Sequence, residues 1–180
     1  EVIAERQNTW GRCFAINPET DITIVPGATA GLFATFQAWV LSGDEVILID
    51  PSYDSYAPAV VLAGGVAIRI PMEEDFSMPW EKIKSSLSKK TKMIVVNTPH
   101  NPLGLVMSLE DWQTLATILR DTKVIVLSDE VYEHMVFEGQ AHVSVLQVPE
   151  LAHRAISISS FGKTFHATGW KLGYVTANAA

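Results

Sequence analysis

The sequence predicts an α/β protein with a mostly parallel sheet flanked by helices. Two observations carry that expectation. Apolar runs of strand length alternate with segments of helical pattern, which is the signature of successive βαβ units. The Gly-, Pro- and Asn-rich punctuation falls just after the apolar runs, at the carboxyl ends of strands, where open parallel sheets hold their ligands. A third observation bounds the class: with 48% apolar residues over 180, the chain has enough material for one domain with a buried core.

Taken in order, residues 2–14 read as a helix leading into Asn17-Pro18-Glu19, and Asp21–Val25 as a short strand. Pro26-Gly27-Ala28-Thr29 turns into a helix over 29–41 that is apolar all round, as a buried helix is. Ser42-Gly43-Asp44 stops it, and Glu45–Ile49 is the next strand. A helix near 55–63 is closed by Gly64-Gly65. Val66–Ile70 is a strand, Glu73–Met78 an acidic loop and Trp80–Leu87 an amphipathic helix. Lys92–Val96 is a strand, and Asn97–Leu105 a loop rich in Pro and Asn. Ser108 caps a helix running to about Arg120. Lys123–Leu127 is a strand with Ser128-Asp129-Glu130 at its end. After a polar stretch, Ala155–Ile158 and Lys171–Thr176 are the last strands.

The chemistry concentrates in Ser159–Lys171. A lysine delivered from a buried strand through Gly162, with Lys171 eight residues on, sits in low dielectric beside another cation. Both effects favour the neutral amine that a Schiff-base nucleophile must be. Ser160 and Lys171 flank Lys163 as anion ligands. Together these features point to a covalently held, phosphorylated aldehyde, pyridoxal 5'-phosphate. Gly162-Lys163-Thr164 is also the tail of a P-loop, but Ser157 stands where the leading glycine belongs. Ser160-x-x-Lys163 matches the serine/lysine pattern of penicillin-binding proteins, but neither S-D-N nor K-T-G occurs. A surface lysine beside a turn stays open on this stretch alone.

The other strand ends supply partners. Gly27-Ala28-Thr29 opens a helix whose free N–H groups favour an anion, or is only a turn. Asp129 ends a buried strand and needs a partner such as a protonated pyridine nitrogen, or caps the following turn. Tyr132 and Asn101 are in reach of a phenolic oxygen, or are a core tyrosine and a turn asparagine. Tyr53 is placed to stack on a ring, or is a core aromatic. His100, His134 and His166 lack metal-ligand spacing and read as polar rim residues, so no metal is expected. Trp10, Trp39, Trp80 and Trp112 read as core, and Trp170 stays open.

Net charge of −7 without a basic run argues against nucleic acid or an anionic membrane surface as partner. No apolar run is long enough for a membrane helix. The single cysteine, Cys13, allows no internal disulfide, reads as structural, and suggests a reducing compartment such as the cytoplasm.

The segments Asp50–Tyr56, Asn97–Pro102, Ser128–His134 and Ser159–Lys171 with Gly173-Tyr174 resemble the class I/II aminotransferases of pyridoxal-phosphate fold type I, nearest their methionine, kynurenine and aromatic branch. The resemblance implies an aspartate-aminotransferase-like fold, of which residues 1–180 are a single large cofactor-binding domain without the small domain. It implies that Lys163 forms the internal aldimine and that Asp129 pairs with the pyridine nitrogen. Tyr132 and Asn101 contact the phenolic oxygen, Tyr53 stacks on the ring, and Ala28, Thr29, Ser160 and Lys171 hold the phosphate. Lys171 stands where many relatives carry arginine. The implied activity moves an amino group from a methionine, aromatic or kynurenine-like amino acid to a 2-oxo acid, in a homodimer. The rivals are a carbon–sulfur β-lyase and a non-catalytic cofactor-binding domain of the kind some transcription regulators carry.

Overall fold

A computed structural model describes residues 1–137 and 139–178. The strands are β1 (Ile22–Val25), β2 (Glu45–Asp50), β3 (Val66–Pro71), β4 (Thr91–Asn97), β5 (Ile125–Asp129), β6 (Ala155–Ser160) and β7 (Gly173–Ala177). They form one sheet in the order β1-β7-β6-β5-β4-β2-β3. The pairs from β6 through β5, β4 and β2 to β3 are parallel, whereas β7 runs antiparallel to both β6 and β1. The mostly parallel expectation holds. The central strands read as unbroken apolar runs because helices cover both of their faces.

The helices are α1 (Val2–Thr9), α2 (Ala28–Trp39), α3 (Tyr56–Leu62), α4 (Trp80–Ser86), α5 (Leu109–Leu119), α6 (Pro149–Ala152) and α7 (Phe161–Thr164), with short 3-10 turns at Val145–Gln147 and Thr168–Trp170. On one face of the sheet, Ile47, Ile94, Val96 and Val126 pack under Ile83, Trp112, Leu115 and Leu119. On the other, Val46, Leu48, Val95 and Ile158 pack under Leu32 and Phe36 of α2 and Tyr56 and Val60 of α3. Burying side chains of this size contributes about 1.5–3 kcal/mol each. Ser108 and Asp111 form a reciprocal capping box that sets the start of α5.

Three expectations need correction. The first helix ends at Thr9, not near residue 14, because Gly11 takes a left-handed φ of +70°. Cys13 then lies exposed in the loop, its backbone N–H donating to the Leu146 carbonyl. Helix α2 is not buried all round: Phe33 and Trp39 stand on a solvent face, with the Lys92 ammonium over the Trp39 ring at 5.6 Å. The polar stretch before β6 contains α6 and a 3-10 turn, both too short to show a helical period. Among the described residues, no helix is long and apolar enough to cross a membrane.

Candidate functional site

Strand β1 is antiparallel to β7, which is antiparallel to β6, so the carboxyl end of β1 joins the rim formed by β6, β5, β4 and β2. A cavity of about 480 Å³ opens at that rim. Ala28, Thr29, Tyr53, Asn101, Asp129, Tyr132, Ser160, Lys163 and Lys171 all line it. Five loops converge there, each supplying residues the strand-end pattern singles out.

One wall is the N-terminus of α2. Its N-cap, Gly27, has a φ of +89° and no side chain caps the helix. The first N–H groups of a helix have no intrahelical partner and carry partial positive charge. Lys171 approaches this end, since a Cβ on Gly27 would lie 3.8 Å from its Cα. Lys171 holds a left-handed φ of +50°. Gly173 lets β7 close against the same end: a Cβ there would lie 2.9 Å from the Ala28 nitrogen and 2.8 Å from the Ser159 carbonyl oxygen. Ser160, the last residue of β6, completes this wall.

The floor is Asp129, the last residue of β5 and 4% exposed. Its Oδ2 accepts a hydrogen bond from the Tyr56 hydroxyl at 2.5 Å, and its Oδ1 accepts from the Val131 N–H at 3.3 Å. Burial pushes the carboxyl up to about 6, against the pull of these two hydrogen bonds. A carboxylate this deep is costly without a positive partner. Asn97, aligned with Asp129 across β4 and β5, donates to the Asp129 carbonyl at 2.9 Å.

Lys163 departs from expectation. It does not lie buried at a strand end. Residue 163 sits on the single turn of α7 and is exposed, its Nζ 5.3 Å from the centre of the Tyr132 ring. Gly162 serves close approach rather than a special dihedral, because a Cβ there would meet the Thr168 Cα at 2.9 Å. His100 also departs: it is buried rather than on a polar rim, and lines a smaller apolar cavity of about 190 Å³ beside Met72, Met78 and Met107. Trp39 is a surface residue rather than core, and Trp170 is exposed.

Pyridoxal phosphate fits this donor set. The buried Asp129, costly to ionise without a positive partner, suits a protonated ring nitrogen, the uncapped α2 end with Ser160 and Lys171 suits a phosphate, and an amine stands at the mouth. The pattern reading did not single out Tyr56, Asn97 or Gly173. Tyr56 follows Tyr53 by three positions, across one turn, and Asn97 ends the strand beside that of Asp129. Those spacings are the signals that could have found them.

A second polar cluster lies outside this cavity. One ligand atom each from Glu130, Glu133 and His142 falls within 4.8 Å of the others, a set that could hold a divalent ion. Burial would raise Glu130, but the His142 hydrogen bond at 3.1 Å, Arg12 and the Val145 N–H hold it at about 2. Burial and the Glu130 charge push Glu133 up to about 7. Arg12 already offsets both carboxylates electrostatically.

Comparison with known proteins gives the family. The family model for aminotransferase class I and II matches residues 4–180. The chain is 44% identical to methionine aminotransferase of Escherichia coli K12, covering 99% of this chain and 46% of that protein. It is 40% identical to human kynurenine–oxoglutarate transaminase 3, over 88% of this chain and 37% of the other. A solved structure from Escherichia coli, reported with a methionine aminotransferase function, superposes with a TM-score of 0.96 at 44% identity, over 99% of this chain and 47% of that one. An aromatic aminotransferase from Pyrococcus horikoshii superposes with a TM-score of 0.92 at 34% identity, over 98% and 48% of the two chains. The chain belongs to the class I and II aminotransferases. It spans about half the length of the curated relatives it matches.

Proposed function

We propose that this chain is the large, cofactor-binding domain of a pyridoxal-phosphate-dependent aminotransferase. Its substrates are a methionine-like, aromatic or kynurenine-like amino acid and a 2-oxo acid. The observation that carries the reading is Asp129: a buried carboxyl at about 6 forms the floor of the cavity whose mouth holds Lys163. The names of the relatives support the substrate class. The single cysteine supports a reducing, cytoplasmic setting, and the family supports a homodimer.

When bound, pyridoxal phosphate supplies an electron-accepting ring that stabilises negative charge at the α-carbon of the amino acid. This chain supplies the rest. Asp129 would hold the ring nitrogen protonated. The Lys163 amine would be the covalent attachment point and, once the substrate's amino group has replaced it there, the free base that would take the α-proton and pass it on. Tyr132 and Asn101 would donate to the phenolic oxygen, and Tyr53 would lie on the ring face. The Ala28 N–H, the hydroxyls of Thr29 and Ser160, and the Lys171 charge would hold the phosphate. Lysine does so as a point charge, without the bidentate fork of arginine.

Borohydride reduction of the protein with pyridoxal phosphate, followed by peptide mass analysis, tests this. A single pyridoxyl adduct on Lys163 is expected. Scattered adducts, or none, overturn the reading.

A further inference from the structure

Tyr56 has no place among the residues that would touch the cofactor, yet its hydroxyl is the side-chain donor to Asp129. The ring lies in the core between α3 and the sheet, 2% exposed, among apolar neighbours that a phenylalanine would suit equally well. The hydroxyl is therefore not required for packing. It sits 2.5 Å from Asp129 Oδ2, bridging 73 positions of sequence. The ring is itself fixed from the side by Tyr53, whose centroid lies 5.6 Å away at an interplanar angle of 74°. Tyr56, like Asn97, lines both cavities.

We propose that Tyr56 is a positioning residue: its hydroxyl holds the Asp129 carboxylate ionised and aimed into the cavity. The inference deepens the proposed function and rests on it for the role of Asp129. A hydrogen bond from a neutral phenol to a carboxylate favours the ionised form. Asp129 needs that help because burial drives it the other way. The titratable groups around the pair are few. Tyr53 and Tyr132 face the Tyr56 phenol along with Asp129, and the Glu130 charge opposes ionisation of Asp129. The Tyr56 phenol is raised well above its ordinary value, chiefly by burial and then by the Asp129 charge, so it stays a donor through neutral pH. The Val131 N–H, at 3.3 Å on the other oxygen, leaves Asp129 one close donor and one long one.

The test titrates Asp129 by carbon-13 NMR in aspartate-labelled protein without cofactor. In the reconstituted protein it follows the pH dependence of the cofactor's visible absorbance, and its retention on dialysis. Tyr56→Phe is expected to raise the Asp129 midpoint by about one to two units. It should also displace the absorbance titration and weaken retention on the order of tenfold. In an Asp129→Asn background the same replacement should change retention by less than about twofold. An unmoved Asp129 midpoint, or an equal loss of retention in the Asp129→Asn background, overturns the proposal. If Tyr56→Phe does not fold, 3,5-difluorotyrosine at position 56 keeps the shape and strengthens the donor. The midpoint must then fall, and a static one overturns the proposal equally. Titration of the unliganded protein is independent of Lys163. A shifted midpoint without a pyridoxyl adduct therefore removes the proposed function and leaves the Tyr56–Asp129 pair standing.

Discussion

The backbone N–H of Asn101 donates to the side-chain oxygen of Asn97 at 2.7 Å, while the amide of Asn97 donates to the Asp129 carbonyl. One side chain thus ties the loop after β4 to the end of β5, two of the five segments that make the cavity. Asn97→Ala should cost about 1–3 kcal/mol, because the Asn101 N–H loses its acceptor and the Asp129 carbonyl keeps only the Thr98 N–H. Urea denaturation measures that loss. Cofactor affinity should fall with it, since Asn101 and Asp129 move apart; a stability loss with unchanged affinity would show that the tie does not serve the site.

Lys163→Ala should abolish turnover and leave folding intact, because the side chain is exposed. Thermal melting together with a single-turnover assay checks both halves. Near-wild-type transamination by this variant would sink the assignment of Lys163.

Asp129→Asn should lower the rate of the chemical step far more than it lowers cofactor content. An amide fills the same space beside Tyr56 but cannot hold a ring nitrogen protonated. Stopped-flow half-reactions with saturating cofactor separate the two effects. If only cofactor retention changed, the role given to Asp129 would be wrong.

In protein without cofactor, the contribution of Asp129 and Glu133 to stability should fall as pH rises from about 4 to about 7. The folded state raises Asp129 to about 6 and Glu133 to about 7, so it holds protons that the unfolded chain, at 3.8 and 4.5, has released. Glu130 acts with the opposite sign. Held at about 2, it contributes stability above 4.5 that is lost as pH falls. Glu133→Gln should remove part of the neutral-side decline, on the order of 2 kcal/mol. Urea midpoints across this range decide the matter, and identical slopes in both proteins would exonerate Glu133.

Gly173→Ala should destabilise by about 1–3 kcal/mol, because the added carbon meets two backbone atoms that cannot swing away. Displacement of β7 from the α2 end should also weaken binding of the phosphorylated cofactor relative to its dephosphorylated form. Calorimetry with the two compounds would reveal whether the loss is confined to the phosphate.

Much of this was legible in the chain. Asp129 stood out because a carboxylate ending an apolar strand demands an explanation, and the five rim loops because Gly, Pro and Asn mark strand ends. Roles at the level of individual atoms stay open between alternatives until the family resemblance is added. Tyr56 escaped because its ring satisfies the core pattern, and nothing local reveals where a buried hydroxyl points. The exposure of Lys163 escaped because the single turn of α7 is too short to leave a period. The antiparallel course of β7 escaped because pairing with β1 and β6 is a tertiary choice, absent from any short window.

That pairing bears on how the molecule is made. Ile22 lies beside Thr176, roughly 150 positions later, and the α2 end meets Lys171 and Gly173 from the same late segment. During synthesis the parallel core can begin to assemble while β1 still lacks its neighbour. The wall at the α2 end closes only when β7 has left the ribosome. Until then β1 is an unpaired edge exposed to other chains.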